Sequence, residues 1–298
     1  MGNIFEMLAK ELPEVERQTK GIRQLTEHAM TSRLLCLFFG WDWYASKIAF
    51  VENDPDEWMH NLKGEKNLNR ALYARRVIGL GDAIFTLLKG KLKGSAILKQ
   101  RFLARATKPC FIETEIASLL AYNGFDVEFV GETGVRGEDF DLAISRDGVT
   151  LSVEITGKED GPMTVHTISN TLKSKRTQVP PNRPAVLYMR IPAEWMEPPR
   201  RGQAIFTEAF VDFFRRSHRF NAVVLVWEQL VPFATGAFTQ MNMWPCYNNH
   251  PRHFYPHMAL LGLIAAPSGQ TSFSYSFFDW LKGVEAKLLA QESEPLSS

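Results

Sequence analysis

Residues 137–158 read GEDFDLAISRDGVTLSVEITGK, and the dipeptide Asp147-Gly148 separates two apolar runs within them. An Asp-Gly pair in that setting predicts a two-residue type I′ hairpin, because both turn positions require φ > 0. The turn then fixes the register. Arg146 faces Val149, Ile144 faces Leu151, Leu142 faces Val153, and Asp141 faces Glu154. Side chains alternate along a strand, so Leu142, Ile144, Leu151 and Val153 share a buried face while Asp141 and Glu154 share the other. Two carboxylates roughly 5 Å apart across a hairpin repel one another. A divalent metal between them removes the repulsion.

The Glu154 face continues through Thr156 and Lys158, since every second residue points the same way. Asp139 is a competing acid opposite Thr156, but Asp141 directly precedes the apolar strand. Upstream, Ile112, Glu115, Ile116, Leu119 and Leu120 have helical spacing, Gly124 is placed to end the helix, and Val127 to Val130 open a strand. Glu115 lies on or beside the buried stripe, where a carboxylate is costly to desolvate without a partner. Downstream, a helix over about Thr164 to Thr177 precedes the strand PAVLYMRIP, QAIFTEAFVDFFRR has amphipathic helical spacing, and NAVVLVWEQ reads as a buried strand.

This order of elements and acids resembles the PD-(D/E)XK nuclease superfamily, the restriction-endonuclease-like fold. Its core is a helix carrying a glutamate, then an antiparallel hairpin with an aspartate on one strand and Glu-X-Lys on the next, then a helix and another strand. The resemblance covers residues 108–192. It implies an α/β fold with a mixed sheet flanked by helices, and Mg²⁺ or Mn²⁺ held by Asp141 and Glu154. It also implies catalytic roles for Glu115, Asp141, Glu154 and a lysine. The superfamily lysine would stand at position 156, which is Thr156 here, and the nearest lysine on the same face is Lys158. Lys173 and Lys175 on the following helix are the alternative source, as in some members. The activity implied is metal-dependent hydrolysis of phosphodiester bonds in nucleic acid, with DNA the first expectation. A second reading keeps the fold without the chemistry, as a module binding nucleic acid or protein, and Thr156 is the residue that favours it.

Two domains are expected from 298 residues, a mostly helical one over 1–105 and the nuclease-like one over 106–298. In the first, Leu25, Ala29, Leu34, Leu35 and Phe38 recur at near-helical intervals. The formal charge is +1, so affinity for nucleic acid has to come from local patches. One is the run Lys89, Lys91, Lys93, Lys99, Arg101, Arg105 and Lys108, which contains no acid and is suited either to phosphates or to a solvated helix face. A second set is Lys173, Lys175, Arg176 and Arg183. Trp41 and Trp43 suit base stacking or the core, with the core favoured.

Three scattered cysteines, Cys36, Cys110 and Cys246, fit a reducing cytoplasm better than a disulfide framework. The most apolar run, LLCLFFGW, is far too short to span a bilayer and reads as a buried helix, so no membrane partner is expected. No signal peptide is read at the start. Cys246, His250, His253 and His257 are zinc ligands in kind, though Pro251 and Pro256 interrupt the helix that would align them.

Overall fold

The computed structural model describes residues 2–48, 66–90, 92–135, 137–158, 162–197, 199–233, 236–262 and 277–293. Helices α1 (Gly2–Gln18), α2 (Arg23–Phe39), α3 (Trp41–Lys47), α4 (Lys66–Lys89), α5 (Ser95–Ala104) and α6 (Thr107–Tyr122) come first. Strands β1 (Asp126–Phe129), β2 (Leu142–Arg146) and β3 (Val149–Gly157) follow, then α7 (Val165–Lys175) and β4 (Ala185–Arg190). A 3₁₀ turn at Ala193–Met196, α8 (Pro199–Arg216), β5 (Phe220–Phe233), β6 (Gly236–Tyr247), α9 (Met258–Leu261) and α10 (Phe277–Ser293) complete the order.

The hairpin forms as its turn residues dictate. Asp147 and Gly148 have φ of 50° and 78°, and the pairs Leu142–Val153, Ile144–Leu151 and Arg146–Val149 stand in register. The expected apolar face is buried throughout: Leu142, Ile144, Leu151 and Val153 are all essentially inaccessible.

The six strands lie in the order β1-β2-β3-β4-β5-β6, in a mixed sheet. β1, β2 and β3 are antiparallel, β3, β4 and β5 are parallel, and β5 pairs antiparallel with β6. Parallel neighbours need long crossovers, and α7 and α8 supply them. Both helices pack on one face, where Ile168, Leu172, Phe206 and Phe210 close over Leu187, Met189 and Leu225. All six residues of β4 are buried, as expected of a strand covered on both faces. The α/β class and the mixed sheet flanked by helices are therefore as expected.

The division of the chain differs from a single cut at residue 105. One compact unit is 1–89 with 99–118 and 266–298, and the other is 90–98 with 119–265. The reason lies in α10, whose Phe277, Phe278 and Leu281 share a core with Phe5 and Leu8 of α1, Met30 and Leu34 of α2, and Phe85 of α4. LLCLFFGW sits at the end of α2 with Leu34, Leu35 and Phe38 buried. Among the described residues no helix is long and apolar enough to cross a membrane.

Candidate active site

Asp141 lies one residue ahead of β2, and regular pairing stops at Leu142–Val153. Its main-chain N–H donates to the carbonyl of Val153 at 3.1 Å, and its Oδ2 accepts from the N–H of Ile155 at 2.7 Å. Backbone and side chain of Asp141 thus bracket Glu154 on β3. This corrects the expectation of a carboxylate standing directly across from Glu154. The ladder acceptor for Ile155 has run out where β2 begins, and the Asp141 side chain supplies one in its place. Asp139, the competing acid, is a turn residue. Its Oδ1 accepts from the N–H groups of Thr133 (2.7 Å) and Gly134 (3.0 Å), and the first of these bonds in particular holds its carboxyl below the usual carboxylate range.

Glu154 is 1% exposed, which excludes an open sheet face as the reason for an acid in mid-strand. It is registered beside Leu187 of β4, and in-register residues of parallel strands share a face, so it lies under α7 and α8. A carboxylate there needs a cation. Lys175, the last residue of α7, provides it, with Nζ 2.6 Å from Glu154 Oε1. The rotation of α7 is set by Ile168 and Leu172 packing on the sheet and by Thr164, whose Oγ1 accepts from the N–H of Thr167 as the N-cap. Lys158 stands differently. It follows the end of β3, its backbone N–H donates to Arg190 O, and its side chain makes no ion pair among the described residues. The lysine beside Glu154 is therefore Lys175, and the position-156 slot holds a half-buried Thr156 registered with Met189.

Glu115 is half-buried on the part of α6 that belongs to the first unit, whereas Asp141, Glu154 and Lys175 belong to the second. The most enclosed acid of α6 is Glu113, which sequence reasoning did not single out. It pairs with Arg101 at 2.6 Å and Arg105 at 3.1 Å. These arginines are two of the expected phosphate ligands. Arg101 is 5% exposed, so its guanidinium is turned into the unit and away from any phosphate track. Lys89 lies over the rings of Phe85 and Trp280, and Lys99 over Phe38 at 4.6 Å. Lys93 is exposed, Lys108 is half-buried, and Lys91 lies outside the described residues. Most of the basic run is thus engaged within its own fold, and the missed signal was an acid eight and twelve residues further on. Lys173 is exposed on α7 and keeps its availability.

The C-terminal Cys and His residues do separate work. His253 Nε2 meets the carbonyl of Pro181 at 3.1 Å, His257 Nε2 lies 3.3 Å from Asp147, and all three cysteines are free. Trp43 is core, its Nε1 donating to Phe102 O at 3.1 Å, while Trp41 is 67% exposed. Among the described residues no group of three His, Cys, Asp or Glu side chains is placed to hold an ion. Asp141 and Glu154 nevertheless fit a hard divalent cation in kind. They are oxygen donors brought to adjacent points of the sheet, and the Lys175 ammonium already on Glu154 shows that the point favours positive charge. Water and main-chain carbonyls would complete the shell. No protein-family model and no curated protein matches this chain.

Proposed function

We propose that the chain is a metal-dependent phosphodiesterase of the PD-(D/E)XK, restriction-endonuclease-like type, acting on nucleic acid and first of all on DNA. The observation that carries this reading is the 2.6 Å pair between Lys175 and a Glu154 bracketed by the two hydrogen bonds of Asp141. A buried acid, a second acid just ahead of the neighbouring strand and a lysine from the next helix are the groups this chemistry uses. Mg²⁺ or Mn²⁺ bound by Asp141 and Glu154 would polarise a phosphodiester and lower the pKa of an attacking water. Asp141 is held in place by the Ile155 N–H, and Glu154 is positioned by burial under α7. Lys175 neutralises Glu154 and would bring a positive charge to where the pentacoordinate transition state of phosphoryl transfer gains negative charge, in a partly buried setting. Lys158 would be a surface charge without a catalytic part.

Thr156 favours one other reading, a module that binds nucleic acid and does not cut it. Incubation of the full chain with duplex and single-stranded DNA and RNA, in Mg²⁺, Mn²⁺ or EDTA, separates the two. Cleavage that requires the metal and disappears in Asp141→Asn and Glu154→Gln supports the enzyme. Binding without cleavage under every condition supports the module and ends the enzyme reading.

A further inference from the structure

Arg176, Arg216, Ser217, His218, Arg219 and Arg252 line one cavity of about 300 Å³ in the second unit. They come from three separate stretches of chain, of which RRSHR at 215–219 supplies the most. Arg176 follows α7, Arg216 ends α8 and leads through Ser217 to Arg219 into β5, and Arg252 lies beyond β6, its N–H bonded to His218 O at 2.6 Å. Among the described residues no carboxylate lines the wall. Arg216 is paired outside it with Asp212 at 3.0 Å, and Arg219 donates to Val179 O at 2.9 Å. The side chains of Arg176 and Arg252 make no hydrogen bond or ion pair among the described residues. Ser217 is 3% exposed, and its Oγ has no partner either.

Four guanidinium groups gathered with one counter-charge among the described residues, the Asp212 carboxylate on Arg216, repel one another, and a hydroxyl enclosed without an acceptor costs stability. A chain of net charge +1 has no general excess of cations to explain such a concentration. Both costs are relieved by one anion. Arginine forks match the oxygens of phosphate, and a phosphate monoester carries close to two charges where a carboxylate or a backbone phosphodiester carries one. The size is at the low end for a ligand cavity, enough for a phosphate and the group that bears it and too small for a duplex. Arg176 and Arg216 also border a second cavity of about 230 Å³ between α7 and α8, whose polar lining is Ser169, Asn170, Lys173 and Asp212. Arg176 itself immediately follows Lys175.

We propose that this cavity binds a phosphate monoester, and that its occupant is the terminal phosphate of a nucleic-acid strand, held next to the Lys175 end of α7. The choice of a strand rests on the nuclease reading; the phosphate chemistry does not. The same phosphate could arrive on a free nucleotide or as inorganic phosphate, and the experiment separates these sources.

Binding is measured in EDTA, so that it is independent of cleavage, on the full chain, on Arg176→Gln/Arg252→Gln and on Ser217→Ala. Melting temperatures no lower than that of the unsubstituted chain establish that both variants fold. Calorimetry with inorganic phosphate is expected to show saturable binding, weakened at least about tenfold in the double variant and measurably in Ser217→Ala. Fluorescence anisotropy then compares a short single-stranded DNA bearing a 5′-phosphate, a 3′-phosphate or hydroxyls at both ends. One phosphorylated form is expected to bind at least about tenfold more tightly than the hydroxyl form, and to lose that margin in the double variant. Saturable phosphate binding with no preference for a phosphorylated strand overturns the strand as occupant and leaves a site for free phosphates. Absent phosphate binding, or binding that neither variant changes, overturns the site. A wild type that binds in this way yet never cleaves in Mg²⁺ overturns the nuclease reading alone.

Discussion

At the scale of single residues, the account rests on Glu154 being buried and Lys175 being its counter-charge. Removing one partner of an enclosed pair leaves the other without compensation, whereas removing both charges together costs far less. Lys175→Ala is therefore expected to destabilise the fold by about 2–4 kcal/mol in urea unfolding, and Lys175→Met combined with Glu154→Gln to recover most of the loss. Recovery is the informative result, because a purely steric role for Lys175 gives none. Asp141 separates structure from chemistry in another way. Asn retains an oxygen for the Ile155 N–H, so Asp141→Asn should unfold close to wild type, while Asp141→Ala orphans that N–H and should cost about 1–3 kcal/mol. Both should abolish metal-dependent cleavage.

At the scale of elements, the hairpin is the part most fully legible in the sequence, because a two-residue turn is decided by its own backbone. Gly148 at φ 78° has open space where a Cβ would stand, so the penalty of a side chain there is conformational alone. Gly148→Val should cost about 1–2 kcal/mol, and Gly148→Asn, which tolerates the left-handed region, clearly less, by thermal or urea unfolding. Equal losses for the two would mean that the turn does not fix the register. The lysine was not legible in the same way. Strand alternation points to Lys158, but the residue that reaches Glu154 depends on how α7 is rotated, and that is settled by Ile168 and Leu172 meeting a sheet far along the chain. The basic run before α6 misleads for a related reason. A row of like charges does not reveal an acid such as Glu113 one helix later, which takes two of its members inward.

At the scale of the whole molecule, the compact units differ from a linear division at residue 105 because α10 returns to the core of α1, α2 and α4, and nothing local to α10 says where it packs. Its first N–H, from Phe277, donates to Asp82 Oδ1 of α4 at 2.9 Å. Burial, with added repulsion from Glu27 and Asp279, pushes the Asp82 carboxyl up to about 7 against the hydrogen bond from Phe277 and the attraction of Arg75. A carboxyl raised in the folded state favours the protonated form. Its contribution is complete below the ordinary value of 3.8 and is lost as pH rises through about 7. The stability of the first unit should fall over that interval by at most about 4 kcal/mol from this group. Asp82→Asn, which keeps an acceptor for Phe277, should flatten the decline and raise the melting temperature at pH 8. A wild type whose stability does not fall between pH 4 and 7 would contradict this. In the second unit, Asp141, Glu154 and Lys175 carry the central claim, and it is tested most directly by single-turnover cleavage of end-labelled DNA in saturating Mg²⁺. The account predicts cleavage by the wild type and by Lys158→Ala at similar rates, no cleavage by Glu154→Gln, and a rate lowered at least about a hundredfold in Lys175→Ala. Cleavage that survives in both Glu154→Gln and Lys175→Ala, or a wild type that cuts no DNA, would contradict it.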